Sequence, residues 1–301
     1  MLTRLVAEAM TNAHGDGPWL GVIGDIVEDV VVFATAPFAA ASDTPARIVR
    51  RRGGSAANVA VAASSLVTTR FIGCVGDDPT GRQLAKTMPG VDVRLQITHQ
   101  PTGTIVVLVD AAGERHMFPD RGANVHMGAL APGWLDGLFA LHATAYSLET
   151  GSTADVVMAA LRQANLGVTS LDASSHALIR QIGVESFVGL VDQADPVIVF
   201  ANADEAALLG WDVQQPSPQR VVIVKHGASP ALIRTPRGAW LVPVPRLDVD
   251  DTTGAGDAFA AGVLSRVVTQ QMGRQNLLSA DAATAVALAQ AGHVNAAAWL
   301  S

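Results

Sequence analysis

Short runs rich in Val and Ile recur along this chain, separated by Ala- and Gly-rich stretches of helical length, a rhythm that few architectures satisfy. Apolar runs bounded by turn residues read as buried strands, and strands alternating with helices read as a mostly parallel sheet covered on both faces. Trp19 to Phe33 predicts two extended segments broken by Gly24-Asp25 and Glu28-Asp29, the first of them buried. A small-residue helix is expected from Ser55 to Leu66, a strand over Phe71 to Val75, and a helix from Pro79 to about Met88, with Asp78 as its cap. After Trp134 the rhythm resumes with strands near Ala143 to Leu148, Gly167 to Asp172, Val197 to Phe200 and Val221 to Lys225. The expected closing helices cover about Ala255 to Val268 and Ala282 to Trp299.

One region breaks the rhythm. Val91 to Ile97, Gly103 to Asp110 and Glu114 to Phe118 follow one another as strands without helices. Together with the alternating stretch Ala46 to Arg50 they predict a small separate sheet. Residues 1–18 lack a signal-peptide pattern and read as a disordered leader, leaving residues 19–301 as a single domain.

With 301 residues, 49% of them hydrophobic and a single Tyr, the chain has room for a large core built from aliphatic side chains. Its net charge of −7 leaves no basic surface for a nucleic-acid backbone, and Arg50-Arg51-Arg52 reads as a solvated strand end. The lone Cys74 rules out an internal disulfide framework and fits a reducing cytoplasm. No apolar run approaches the ~18–20 residues that span a bilayer. His116, His126, His142, His226 and His293 lack metal-ligand spacing with one another.

The stretch that carries chemistry is Asp251-Thr252-Thr253-Gly254-Ala255-Gly256-Asp257-Ala258-Phe259, where residues with little or no side chain open a helix. Successive N–H groups there can converge on an anion at the helix N-terminus. Asp257 reads either as an N-cap or as a carboxylate that takes the proton of a hydroxyl attacking a bound phosphate. A Gly-Lys-Ser/Thr loop, a G-x-G-x-x-G fingerprint and protein-kinase signatures are all missing, which sets aside a Walker-type nucleotide site and makes a dehydrogenase a distant reading.

Asp251 to Phe259 resembles the C-terminal signature D-T-x-G-A-G-D-x-F of the ribokinase, or PfkB, family of carbohydrate and nucleoside kinases. Gly53-Gly54-Ser55-Ala56-Ala57-Asn58 is similar to its N-terminal signature, and the resemblance covers about Gly21 to Gln290. It implies a three-layer ribokinase-like α/β fold with a small β-sheet lid, in segments about 29–52 and 97–121, and ATP-dependent phosphorylation of a hydroxymethyl group on a small sugar. By that resemblance Asp257 is the base, and Gly254, Ala255 and Gly256 form the anion hole. Asp29, Gly54, Asn58, Asn124 and Glu149 face the substrate, while Lys225 and Gly227 approach the nucleotide phosphates. Asn202 and Glu205, in the family's N-x-x-E pattern, organise Mg²⁺ through water, and Asp251 and Thr253 match positions that help to hold K⁺ in some members. Asn202 also reads as a helix cap with Glu205 completing a capping box. Arg115 and Arg121 are candidates to meet an acidic group on the substrate, and lid sheets of the family imply a homodimer. A nucleoside kinase of the same family, and a non-catalytic sugar-binding or regulatory protein on the same scaffold, stand as alternatives. Retention of Asp257 beside the glycines argues against the binder, which has no need of a base.

Overall fold

A computed structural model describes residues 19–38, 40–110, 114–149, 151–163, 165–244 and 252–301. The leader expected over residues 1–18, and Asp251, lie outside the described residues. The chain begins with β1 (Trp19–Ile23), β2 (Val27–Ala34), β3 (Ala46–Gly53), α1 (Ser55–Ser64), β4 (Thr69–Gly76) and α2 (Pro79–Leu84). There follow β5 (Val91–Thr98), β6 (Thr104–Val109), β7 (Arg115–Asp120), β8 (Leu138–Thr144), α3 (Ser152–Leu161), β9 (Val168–Asp172), α4 (His176–Ile182) and α5 (Val184–Ala194). The last elements are β10 (Ile198–Asn202), α6 (Ala203–Leu209), β11 (Val221–Lys225), β12 (Ala231–Thr235), β13 (Gly238–Val242), α7 (Ala255–Thr269), α8 (Arg274–Leu278) and α9 (Ala282–Leu300).

The large sheet has the order β13-β12-β11-β10-β9-β8-β1-β4-β5. Neighbours from β11 to β5 run parallel, and β12 and β13 complete one edge antiparallel. Helices cover both faces, so a central strand such as β4 is buried at every position. On one face α1, α7 and α9 pack through small residues. The other is covered by α3, α4, α5 and α6 around Phe187 and Leu178. Asn295 of α9 fastens the first group together, donating to the carbonyl oxygen of Ala258 in α7 at 2.7 Å and reaching that of Ala62 in α1 at 3.5 Å.

The smaller sheet has the order β3-β2-β6-β7, with β2 and β6 parallel and both outer pairs antiparallel. It leaves Ile48, Met117 and Phe118 exposed. This sheet corrects one expectation. The strand predicted over Val91 to Ile97 is β5, which pairs in parallel with β4 along the edge of the large sheet, so the second segment of the smaller sheet starts at Thr104, not near residue 97. An isolated strand in sequence carries no mark of which sheet it joins. A second correction concerns β8, which ends at Thr144, while Ala145–Leu148 form a 3₁₀ turn. His142 obscured that strand by interrupting its apolar run. Fully buried, it is accommodated by a 2.9 Å contact between its Nδ1 and Ser170 Oγ on β9. No helix among the described residues is long and apolar enough to cross a membrane.

Close approach of α7 and α9 depends on Gly262, where a Cβ would meet the Ala291 carbonyl oxygen and stand 2.8 Å from Asn295 Cβ. Gly262→Ala should therefore lower the thermal unfolding midpoint, although alanine is worth about 1 kcal/mol more than glycine inside a helix. An unchanged or raised midpoint in calorimetry would mean that the helix pair yields at no cost.

Candidate active site

In a parallel sheet, ligand sites gather outside the carboxyl ends of the strands and near the point where strand order reverses. Here the order reverses between β1 and β8, and the carboxyl ends of β9, β10 and β11 carry Asp172, Asn202 and Lys225. These side chains line a cleft of about 570 Å³ shared with Glu205, Gly227 and Asp257. Its size suits a small-molecule ligand.

Helix α7 points its N-terminus into the cleft. Gly254 supplies the left-handed turn before the helix, at φ +77°, so Asp257 is a first-turn residue and not the N-cap. Its carboxylate accepts from Ser55 Oγ at 2.6 Å and from Asn58 Nδ2 at 3.0 Å, both on the first turn of α1. Burial pushes the Asp257 carboxyl up to about 6, against the opposing pull of those donors and of Lys225. Lys225 Nζ stands 3.4 Å from where a Cβ on Gly256 would be, so the bare helix start faces the ammonium. The Ala255 N–H is turned back to the Thr252 carbonyl at 3.1 Å.

Opposite α7, Lys225 donates to Asp172 Oδ2 at 2.5 Å in a largely buried ion pair. Burial works against the ammonium, but Asp172, with Glu205 and Asp257 adding to it, outweighs burial and raises its pKa. Glu205 and Asn202 form the capping box of α6: Asn202 Oδ1 accepts the Glu205 N–H at 2.9 Å, and Glu205 accepts the Asn202 N–H at 2.8 Å. Burial, then Asp172, raises the Glu205 carboxyl. Asp172 and Glu205 thus both line the cleft, which Asp257 shares. Such hard oxygen donors fit a Mg²⁺ ion that keeps several waters and is shared with phosphates. Among the described residues no cluster of three or more acidic, Cys or His side chains would bind a metal on its own.

The sequence matches the pfkB family carbohydrate kinase profile over residues 20–299. It is 35% identical over 228 residues to the ATP-dependent ribose-1-phosphate kinase of Halopiger xanaduensis, covering 72% of this chain and 73% of that protein. The chain belongs to the pfkB family. It is an ATP-dependent sugar or nucleoside kinase of that family. The aminoimidazole riboside kinase of Salmonella typhimurium is 28% identical, over 70% of this chain and 72% of its own length. Among solved structures, the ATP-bound fructokinase of Xylella fastidiosa superposes with a TM-score of 0.76 at 22% identity, over 92% of this chain and 91% of that one. The apo adenosine kinase of Trypanosoma brucei brucei does so with a TM-score of 0.72 at 21% identity, over 94% and 99%. These structures share the ribokinase-like fold.

Across the cleft mouth of this pfkB-family chain, β3 of the smaller sheet leads directly into α1. Gly54 takes φ +98°, where a Cβ would lie 2.5 Å from the Asp25 carbonyl oxygen. The buried Asp25 carboxylate receives the N–H groups of Ser55 at 3.1 Å and Ala56 at 3.2 Å, and so aims α1. Asp29 projects its carboxylate over Gly53, and burial raises its pKa against the nearby Arg51. Besides Asn58, whose amide bonds to Asp257 and Arg52, two expected substrate ligands are otherwise engaged. Asn124 Oδ1 accepts the Ile26 N–H at 3.0 Å while its Nδ2 donates to the Ile26 and Arg121 carbonyls, both at 3.1 Å, which commits the amide to main chain. Glu149 pairs with Arg121 at 3.4 Å and accepts from Gln181 Nε2 at 3.2 Å. Of the possible K⁺ positions, the Thr253 carbonyl accepts from Trp299 Nε1 at 3.1 Å. Sequence reasoning passed over Asp172, Ser55 and Asp25. Asp172, ending an apolar run that forms β9, carried a usable signal, because strand ends of this sheet type gather ligands.

Lys225→Met should destabilise the fold by roughly 3 kcal/mol or more, since it leaves Asp172 as an uncompensated buried charge. Adding Asp172→Asn should recover part of that loss. Equal loss in single and double variants, followed by denaturant titration, would mean that the pair is not coupled.

Proposed function

We propose that this kinase transfers the γ-phosphoryl group of ATP to a hydroxymethyl group of a small sugar, with Asp257 as the general base. The observation that carries the reading is Asp257 itself: a carboxylate raised to about 6 at the start of α7, facing the cleft beside Lys225. A base with a pKa near the working pH is suited to proton transfer. As the acceptor O–H delivers its proton to Asp257, the oxygen bonds to the γ-phosphorus, and the bond to the β-bridging oxygen breaks to release ADP. The first-turn N–H groups of α7 and the Lys225 ammonium stabilise charge on the transferring oxygens. Ser55 and Asn58 hold the carboxylate in line without filling its capacity, because each oxygen has a further lone pair. We assign Asp172 and Glu205 to hold Mg²⁺, through water, where it would neutralise phosphate charge when bound.

The acceptor panel should span neutral sugars, sugar acids, nucleosides and sugar phosphates. Ribose-1-phosphate belongs in it because the 35%-identical relative is a ribose-1-phosphate kinase. Asp257→Asn should lower kcat by ~10²-fold or more while leaving ATP binding intact. Parental activity in that variant would remove Asp257 from the chemistry. The base acts deprotonated, so kcat/KM should fall as pH drops through about 6. Ser55 holds the pKa down, so Ser55→Ala should move that inflection upward; a downward shift would contradict the role given to the hydroxyl.

Exposed Ile48, Met117 and Phe118 on the lid support a homodimer joined through that sheet. Sedimentation equilibrium should give twice the chain mass, and Phe118→Asp should shift it towards the monomer. A monomeric parent would end this part of the proposal.

A further inference from the structure

Three consecutive arginines end β3, and they differ in what they meet. Arg50 pairs with Glu28 at 2.5 Å, and Arg51 lies 3.9 Å from Asp29. Arg52 turns toward the base. Its Nη1 donates to Asn58 Oδ1 at 2.8 Å, and the amide nitrogen of the same Asn58 donates to Asp257 Oδ2 at 3.0 Å. The guanidinium is therefore one amide away from the carboxylate proposed to receive the acceptor's proton.

Arg52 is partly buried, and burial works against its charge, with Asp257 and Asp29 nearby acting in its favour. Yet among the described residues it has no carboxylate within 4.0 Å, and its hydrogen bond goes to a neutral amide. A guanidinium offers five N–H donors in a planar fork that matches phosphate and carboxylate oxygens. Withdrawing such a group from water without an ion partner is unfavourable unless an anion arrives to complete it. A second lid arginine lies on the same approach: Arg115 of β7 donates to Thr253 Oγ1 at 2.8 Å, just before α7. Cationic donors of the lid thus converge on the start of α7 from the acceptor side.

We infer that the acceptor is a small sugar carrying an anionic group, phosphate or carboxylate, which docks on Arg52 while its hydroxymethyl group meets Asp257. The inference rests on the kinase reading above and narrows its substrate class. Arg52 is then a specificity-determining residue, and the anion is bound alike in the ground state and the transition state. Its loss should appear mainly in KM.

The test compares ATP turnover of the parent, Arg52→Gln, Arg52→Lys and Arg50→Gln on sugar phosphates, sugar acids and the matching neutral sugars. In parallel, calorimetry measures binding of the same compounds without nucleotide. An anionic acceptor should be preferred over its neutral counterpart. Arg52→Gln should raise its KM by roughly 10- to 100-fold, the range expected for a charge-assisted hydrogen bond, and collapse the preference. Arg52→Lys should restore part of it, and Arg50→Gln should behave as the parent. Whether phosphates or acids show the Arg52-dependent preference identifies the anion. Preference for neutral sugars, or a loss in Arg52→Gln confined to kcat, would overturn the inference and leave Arg52 as a positioning residue for Asn58. Equal losses in Arg50→Gln would also overturn it, pointing to diffuse lid charge. Arg52-dependent binding of an anionic sugar with no turnover of any acceptor would keep the anion site and remove the kinase mechanism instead.

Discussion

Helices α1 and α7 must start at the same place, side by side, and the rest of the site follows from that contact. Their buried surfaces are rich in alanine, so their axes come close enough for first-turn side chains of one to reach those of the other. Ser55 and Asn58 on α1 can then hold both oxygens of Asp257 on α7. Two clamps set the relative position. Asn295 ties the helices together from α9, and Asp25, at the carboxyl end of β1, grips the N-terminus of α1. The same start of α1 is where β3 of the smaller sheet ends, so any movement of that sheet acts on the residues that hold Asp257.

Burial gives the site its electrostatic character. Withdrawal from water raises the carboxyls of Asp257 and Glu205, and the Asp172 carboxylate near each adds to it. Lys225 is the counterweight: paired with Asp172, it stays charged at the bare start of α7. A phosphate chain entering the cleft would meet an ammonium and helix N–H groups, with carboxylates placed to share a cation. The smaller sheet brings the Arg52 and Arg115 guanidinium groups to Asn58 and Thr253, near the starts of α1 and α7.

Much of this was legible in the chain. Parallel strands buried on both faces cannot hide their β-branched runs, and a glycine before a helix marks a left-handed turn that other residues rarely adopt, so the layered sheet and the turn at Gly254 could be read directly. Local pattern also identified Asn202 and Glu205 as partners three residues apart. Long-range choices were not legible. Whether β5 joins the large sheet or the lid is decided by pairing with β4, and His142 fits its strand because Ser170 arrives from β9. Asn124 looks polar and available in sequence, yet the fold spends its amide on the Ile26 and Arg121 backbone. Arg52 reads as one of three solvated cations until β3 is seen to end against Asn58. The sequence by itself determined periodicity, backbone freedom and residue chemistry, because these act over a few neighbours. Only the tertiary structure decided which distant side chains share a desolvated space, and pKa, pairing and site membership depend on that proximity.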